Sequence, residues 1–100
     1  MSTKITVFDL IEEELGEITF GTFLRAARTS LGITQAEMGK KLRVSRSVIC
    51  DIEKGRQLVS PELAIKIAKR AKLSEKLAVK LCLQDLLKKY NIKMKIKLVA

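Results

Sequence analysis

Histidine and tryptophan are missing from this chain, proline occurs once and cysteine only twice. With no histidine, and with Cys50 and Cys82 remote from each other, neither a CxxC pair nor a His/Cys ligand set can be assembled. No metal and no cofactor is therefore expected. The two cysteines read as free thiols serving as small buried hydrophobes. A glycine-rich phosphate loop is also missing, so acid–base or nucleophilic chemistry would fall to carboxylates and lysines alone. The adjacent Glu12, Glu13 and Glu14 would splay around a helix instead of converging on a substrate. No enzyme is expected. Long apolar runs are absent too. The longest spans three residues, as in Leu77-Ala78-Val79, against the roughly 20 that a membrane span needs. The opening MSTKITVFDL lacks the apolar stretch of a secretory signal, so the expected compartment is the cytoplasm and no membrane partner is expected.

What is present describes a folded, basic domain. Of 100 residues, 47% are apolar, enough for one hydrophobic core and too few residues for a second. The net charge of +9 is unevenly spread. Residues 1–20 hold Lys4 against Asp9, Glu12, Glu13, Glu14 and Glu17, a net of −4; residues 21–100 hold 19 basic and 6 acidic side chains, a net of +13. So basic a body points to a polyanionic partner, of which nucleic acid is the commonest.

Hydroxyl residues punctuate the chain into helices. Thr19 is placed to cap a helix with Phe20, Phe23, Leu24, Ala27 and Leu31 on one stripe, ended by Gly32. Thr34 caps a short helix over residues 35–41, with Met38 and Leu42 facing in, and Ser45 caps the next, over 46–54, with Val48, Ile49 and Ile52 buried. Ser60-Pro61-Glu62 joins a capping serine, a proline suited to the first helical position and an acid suited to the helix dipole. Its helix turns Leu63, Ala64, Ile67, Ala68 and Ala71 inward. Ser74-Glu75 opens a last helix with Leu77, Ala78, Leu81, Cys82, Leu86 and Tyr90 on its apolar side, ending near Asn91. Then the period changes. In NIKMKIKLV, Ile92, Met94, Ile96 and Leu98 alternate with Lys93, Lys95 and Lys97, the pattern of a half-buried strand.

The informative stretch is TQAEMGKKLRVSRSVICDIEKG, residues 34–55. Two short capped helices can cross steeply only where their backbones approach closely, and Gly39 supplies a residue without a side chain there. Met38, Leu42, Val44, Ile49 and Ile52 form the shared core. The second helix presents Arg46, Ser47, Cys50, Asp51 and Lys54 outward, and a B-DNA major groove admits one such helix.

At this point the sequence resembles the lambda-repressor-like, Cro-type helix-turn-helix family, often called XRE. The resemblance covers residues 20–73 and rests on LGIT, residues 31–34, followed by QAEMGKKLRVSRSVICDIEKG. It implies an all-α, five-helix domain that binds double-stranded operator DNA. By the same resemblance Gln35 contacts phosphate or a base edge, and Arg46 and Ser47 sit at the groove-facing start of the recognition helix. Asp51 accepts from a cytosine amino group or orients Arg46, while Lys54 and Arg56 hold phosphates. Ser45 belongs to this DNA-facing set, although capping alone accounts for it. Arg28 and Glu53 match a pair that forms a structural salt bridge. Arg43 departs from the pattern, standing in the turn where the family often has glycine.

The expected organisation is an acidic amphipathic arm over 1–18, the DNA-binding domain over 19–73, and a helix and strand for dimerisation over 74–100. Two copies pairing through Ile92, Met94, Ile96 and Leu98 would give the homodimer that reads two half-sites. Two rival partners for the strand are residues 4–8 of the same chain and the sheet of a different protein. The acidic arm suits either packing on the domain or docking a small basic toxin, as in antitoxins resembling HigA. The function read from all this is a repressor of its own promoter, of antitoxin type. A stand-alone phage-type or restriction-modification controller is the alternative, and a protein-interaction adaptor the other.

Overall fold

The computed structural model describes residues 18–97. The expected arm over 1–18 falls outside the described residues except for Ile18, and so does Leu98. Five helices follow in order: α1 Phe20–Ser30, α2 Gln35–Leu42, α3 Arg46–Glu53, α4 Pro61–Ala71 and α5 Glu75–Lys89. Each begins on a hydroxyl residue whose side chain accepts from a main-chain N–H three positions on: Thr19, Thr34, Ser45, Ser60 and Ser74. Thr34 also forms a capping box with Glu37, whose carboxylate accepts from the Thr34 N–H at 3.0 Å.

Helix α3 packs against α1 and α2, α4 against α2 and α5, and α5 closes back on α1. The shared core holds Phe20, Leu24, Met38, Leu42, Ile49, Ile52, Ile67 and Leu81, each at most 1% exposed. Two glycines allow the helices this close. A Cβ on Gly39 would lie 2.7 Å from the Val44 carbonyl oxygen, and one on Gly21 would strike the Ile52 carbonyl oxygen at the end of α3. The α2–α3 crossing therefore needs Gly39, and the α1–α3 contact needs Gly21.

Polar side chains tie helix ends together. Asp85 of α5 accepts from the Phe20 N–H at 3.0 Å, capping α1 from outside. Arg70 of α4 donates to the Leu42 carbonyl at 2.8 Å, satisfying the end of α2. Asp85 occupies the position one turn after Leu81, where the helical period alone asks for an apolar residue. A carboxylate stands there because a helix N-terminus faces it.

Four expectations differ from the structure. Leu31 is 51% exposed, because the chain leaves the helix at Leu31 and turns through Gly32. Leu86 and Tyr90 are 42% and 65% exposed, since no described element covers that stripe of α5. Cys82 is buried, but Cys50 is only half-buried at the edge of α3. The expected C-terminal strand is not formed among the described residues: 92–97 contain no strand, and Ile92 and Met94 are exposed. A strand needs a ladder neighbour, and among the described residues there is none. The Gln84 side chain takes that place, donating to the Met94 carbonyl at 2.7 Å and accepting from the Ile96 N–H at 2.9 Å.

Arg43 ends α2 at φ 58° and ψ 45°, in the left-handed region that its Cβ disfavours. Arg43→Gly should therefore stabilise the domain by about 1 kcal/mol. Gly39→Ala should cost about 2 kcal/mol by driving a Cβ into backbone. Urea unfolding of the two variants measures both, and an Arg43→Gly variant less stable than the parent would contradict the strain.

Candidate nucleic-acid interface

Helix α3, the expected reading helix, is capped by Ser45. Its hydroxyl accepts from the Val48 N–H at 3.2 Å and lies 3.1 Å from the Ser47 hydroxyl. Capping thus occupies Ser45. Arg46 and Ser47 stand exposed on the first turn of α3, and the Arg46 side chain makes no hydrogen bond or ion pair among the described residues. Cys50 and Asp51 are half-buried one turn further on, and Lys54 caps the far end, exposed. Ile49 and Ile52 point the other way into the core, so one face anchors the helix and the opposite face is left for a ligand.

Asp51 pairs differently from the expected contact with Arg46. Its carboxylate lies 3.8 Å from the Arg56 guanidinium, and its carbonyl accepts from the Arg56 N–H at 2.8 Å and the Gln57 N–H at 3.3 Å. With side chains 65% and 42% exposed, that ion pair is worth at most about 1 kcal/mol. Its effect is local: it shapes the loop after α3 and holds Arg56 beside the helix end.

Behind α3 lies a buried polar junction. Glu53 is 3% exposed at its side chain and Arg28 is 15% exposed. The guanidinium donates from Nε to Glu53 Oε2 at 2.7 Å, from one Nη to Glu53 Oε1 at 3.0 Å and from the other to the Ile33 carbonyl at 3.0 Å. Gln35 adds a bond from Nε2 to Glu53 Oε1 at 3.2 Å. Burial pushes the Glu53 carboxyl up, yet the hydrogen bonds from Arg28 and Gln35 and the charges of Arg28 and Arg25 outweigh it and leave its pKa lowered. The bond to Glu53 raises Arg28 in turn. Gln35 therefore commits one amide N–H to the junction, which leaves its second N–H and its carbonyl oxygen for a contact at the start of α2.

The spacing of this face, two short helices with a capped and exposed second N-terminus, is that of a major-groove reader. A family model described as helix-turn-helix matches residues 24–77, more than half of the chain. This chain belongs to the XRE, or Cro and lambda-repressor-like, helix-turn-helix family. As an XRE protein it is a DNA-binding transcriptional regulator and not an enzyme. Comparison with curated proteins and with solved structures gives no match. No helix among the described residues is long and apolar enough to cross a membrane.

Sequence reasoning named the exposed face of this XRE domain but missed three residues that position it. Gly21 admits the end of α3 against α1, Asp85 holds the start of α1, and Arg70 closes α2. An acid at a core-register position was the available signal for Asp85. For Gly21, a glycine in the first turn, between Phe20 and Phe23 of the apolar stripe, was the clue.

Glu53 has its pKa lowered by folding, so its stabilisation is complete above the ordinary carboxylate value of about 4.3 and drains away as pH falls through the folded value. Arg28→Met leaves that carboxylate buried with only Gln35 hydrogen-bonded to it and should cost about 3 kcal/mol at neutral pH. Urea unfolding from pH 7 downward should show the deficit shrinking as Glu53 is protonated. A deficit independent of pH would place the loss in packing instead.

Proposed function

We propose that this XRE protein is a sequence-specific repressor that binds its operator as a homodimer and serves as the autoregulating antitoxin of a toxin–antitoxin pair. The observation that supports DNA reading most directly is the free first turn of α3, where Arg46 and Ser47 are exposed on a helix whose other face is locked into the core. Arginine can take guanine O6 and N7 as a bidentate pair, worth about 1–3 kcal/mol of discrimination. Lys54 and Arg56 follow on the same side and suit phosphates. Gln35, Ser45, Cys50 and Asp51 complete the proposed contact set around them.

A homodimer is favoured because one such unit reads too few base pairs, whereas two copies read half-sites about 34 Å apart. The exposed apolar side chains Leu86, Tyr90, Ile92 and Met94 provide surface for two copies to cover, with Ile96 beside them. The antitoxin assignment draws on the net −4 of residues 1–20, which suits a small basic toxin. A stand-alone regulator of phage or restriction-modification type shares the DNA-binding half and lacks the toxin.

Arg46→Glu should lower affinity for operator DNA at least 100-fold without changing the unfolding midpoint, measured by fluorescence anisotropy on the DNA upstream of the gene. For the parent, log K against log salt should fall by about 0.9 per phosphate neutralised, and Lys54→Ala should make that slope shallower by about one contact. Unchanged operator binding by the Arg46→Glu variant would move the reading surface off α3.

A further inference from the structure

Residues 92–97 are held along α5 in a manner that prepares one edge for a partner. The Gln84 amide bonds the Met94 carbonyl and the Ile96 N–H, the pairing that a neighbouring strand gives to residues two apart. In an extended chain the main-chain groups of successive residues point to opposite edges. On that pattern the Met94 carbonyl and the Ile96 N–H lie on the Gln84 side, and the main-chain groups of Lys93 and Lys95 belong to the other. Among the described residues the N–H and C=O of Lys93 and Lys95 meet no partner. An edge with one side satisfied and the other open is a template for strand addition.

Charge decides what fits. If a second copy paired through this same edge, the two strands would be antiparallel and equivalent, so odd residues would oppose odd residues in every register. In any register centred within 93–97 at least one lysine would then face a lysine, because Lys93, Lys95 and Lys97 are the odd residues there. Like charges directly opposite each other destabilise a sheet, and opposite charges stabilise it. This chain's own alternating stretch, residues 4–8, contains Lys4 and no acid, while its acids at 9–17 follow a helical and not an alternating spacing. Neither supplies the complement.

We infer that the open edge of residues 93–97 takes an extended segment of another protein in which acidic and apolar residues alternate. The acids face the three lysines, and the apolar residues continue the row of Met94 and Ile96. Gln84 is the positioning residue that keeps the edge extended and in register. This surface is independent of the DNA-reading face, and the inference does not rest on the antitoxin assignment.

The test uses the full chain and two fluorescein-labelled peptides, one alternating valine with glutamate and one alternating valine with lysine. Each acid–lysine pair contributes roughly a 1.5- to 5-fold factor. The glutamate peptide should therefore bind at least about 10-fold tighter than the lysine peptide, and more weakly as salt rises. Lys95→Pro, which keeps the segment extended but removes the outward N–H, should abolish that binding. Gln84→Ala should weaken it about 10-fold while every charge stays in place, which separates the edge from bulk attraction to a basic protein. The double variant Lys93→Glu, Lys95→Glu should reverse the preference between peptides. Equal binding of both peptides, absence of binding by the parent, or parental binding by Lys95→Pro would overturn the inference. So would a dimer in sedimentation that Lys95→Pro breaks, since a second copy would then own the edge.

Discussion

The carboxylate of Glu53 is the point on which this domain turns. It sits at the last residue of the recognition helix, buried, and receives donors from the first two helices, Arg28 of α1 and Gln35 of α2. Removing a carboxylate from water is costly unless its lone pairs are met, and here a bidentate guanidinium and an amide meet them. The same guanidinium holds the Ile33 carbonyl, in the loop between α1 and α2. Three helices and a loop are thereby referred to one pair of oxygens. A shift of α3 would open several charge-assisted bonds at once, so the angle at which α3 presents Arg46, the proposed base contact, is set from behind the helix.

Packing enforces the same orientation by exclusion. Gly21 and Gly39 let backbone meet backbone, and each contact involves a carbonyl at an end of the reading element: Ile52 at the close of α3, Val44 just before its cap. A helix gripped at both ends cannot tilt without striking main chain. The domain accepts local cost to keep this arrangement, because Arg43 and Lys72 end their helices in left-handed backbone without being glycine. In each case the cap N–H still bonds carbonyls in the last turn. The hydrogen bonds thus offset part of the strain.

Much of this was legible in the sequence, and the failures have one cause. All five helix starts could be read from a hydroxyl residue, since capping is a local interaction with an N–H three positions on. Gly39 could be read because the two caps on either side left too few residues for anything but a steep crossing. Leu31, Leu86 and Tyr90 lay on the correct faces of their helices yet are exposed, because periodicity tells which way a side chain points and not whether anything covers it. The alternation over 92–98 was likewise real, but pairing is a property of two segments, and the described residues supply only one. What answers the strand is a glutamine side chain ten residues back, a solution no pattern of apolar residues encodes.

Gln84 and Asp85 show how α5 divides its work between two neighbours. Successive helix residues lie about 100° apart, so adjacent side chains can serve opposite surfaces. Asp85 reaches into the domain and caps α1, while Gln84 reaches out and holds residues 94–96. The inner contact belongs to a close-packed body joined through α1 to Glu53; the outer one touches only a peripheral segment. A partner on that segment would reach α3 by way of α5 and α1. It acts on DNA binding first through charge. An acidic strand seated beside Lys93 and Lys95 subtracts from a body with a net +13, and so lowers the field that draws in phosphate. That effect falls off over a Debye length of about 8–10 Å, so it touches the sequence-independent attraction far more than the base contacts proposed for Arg46.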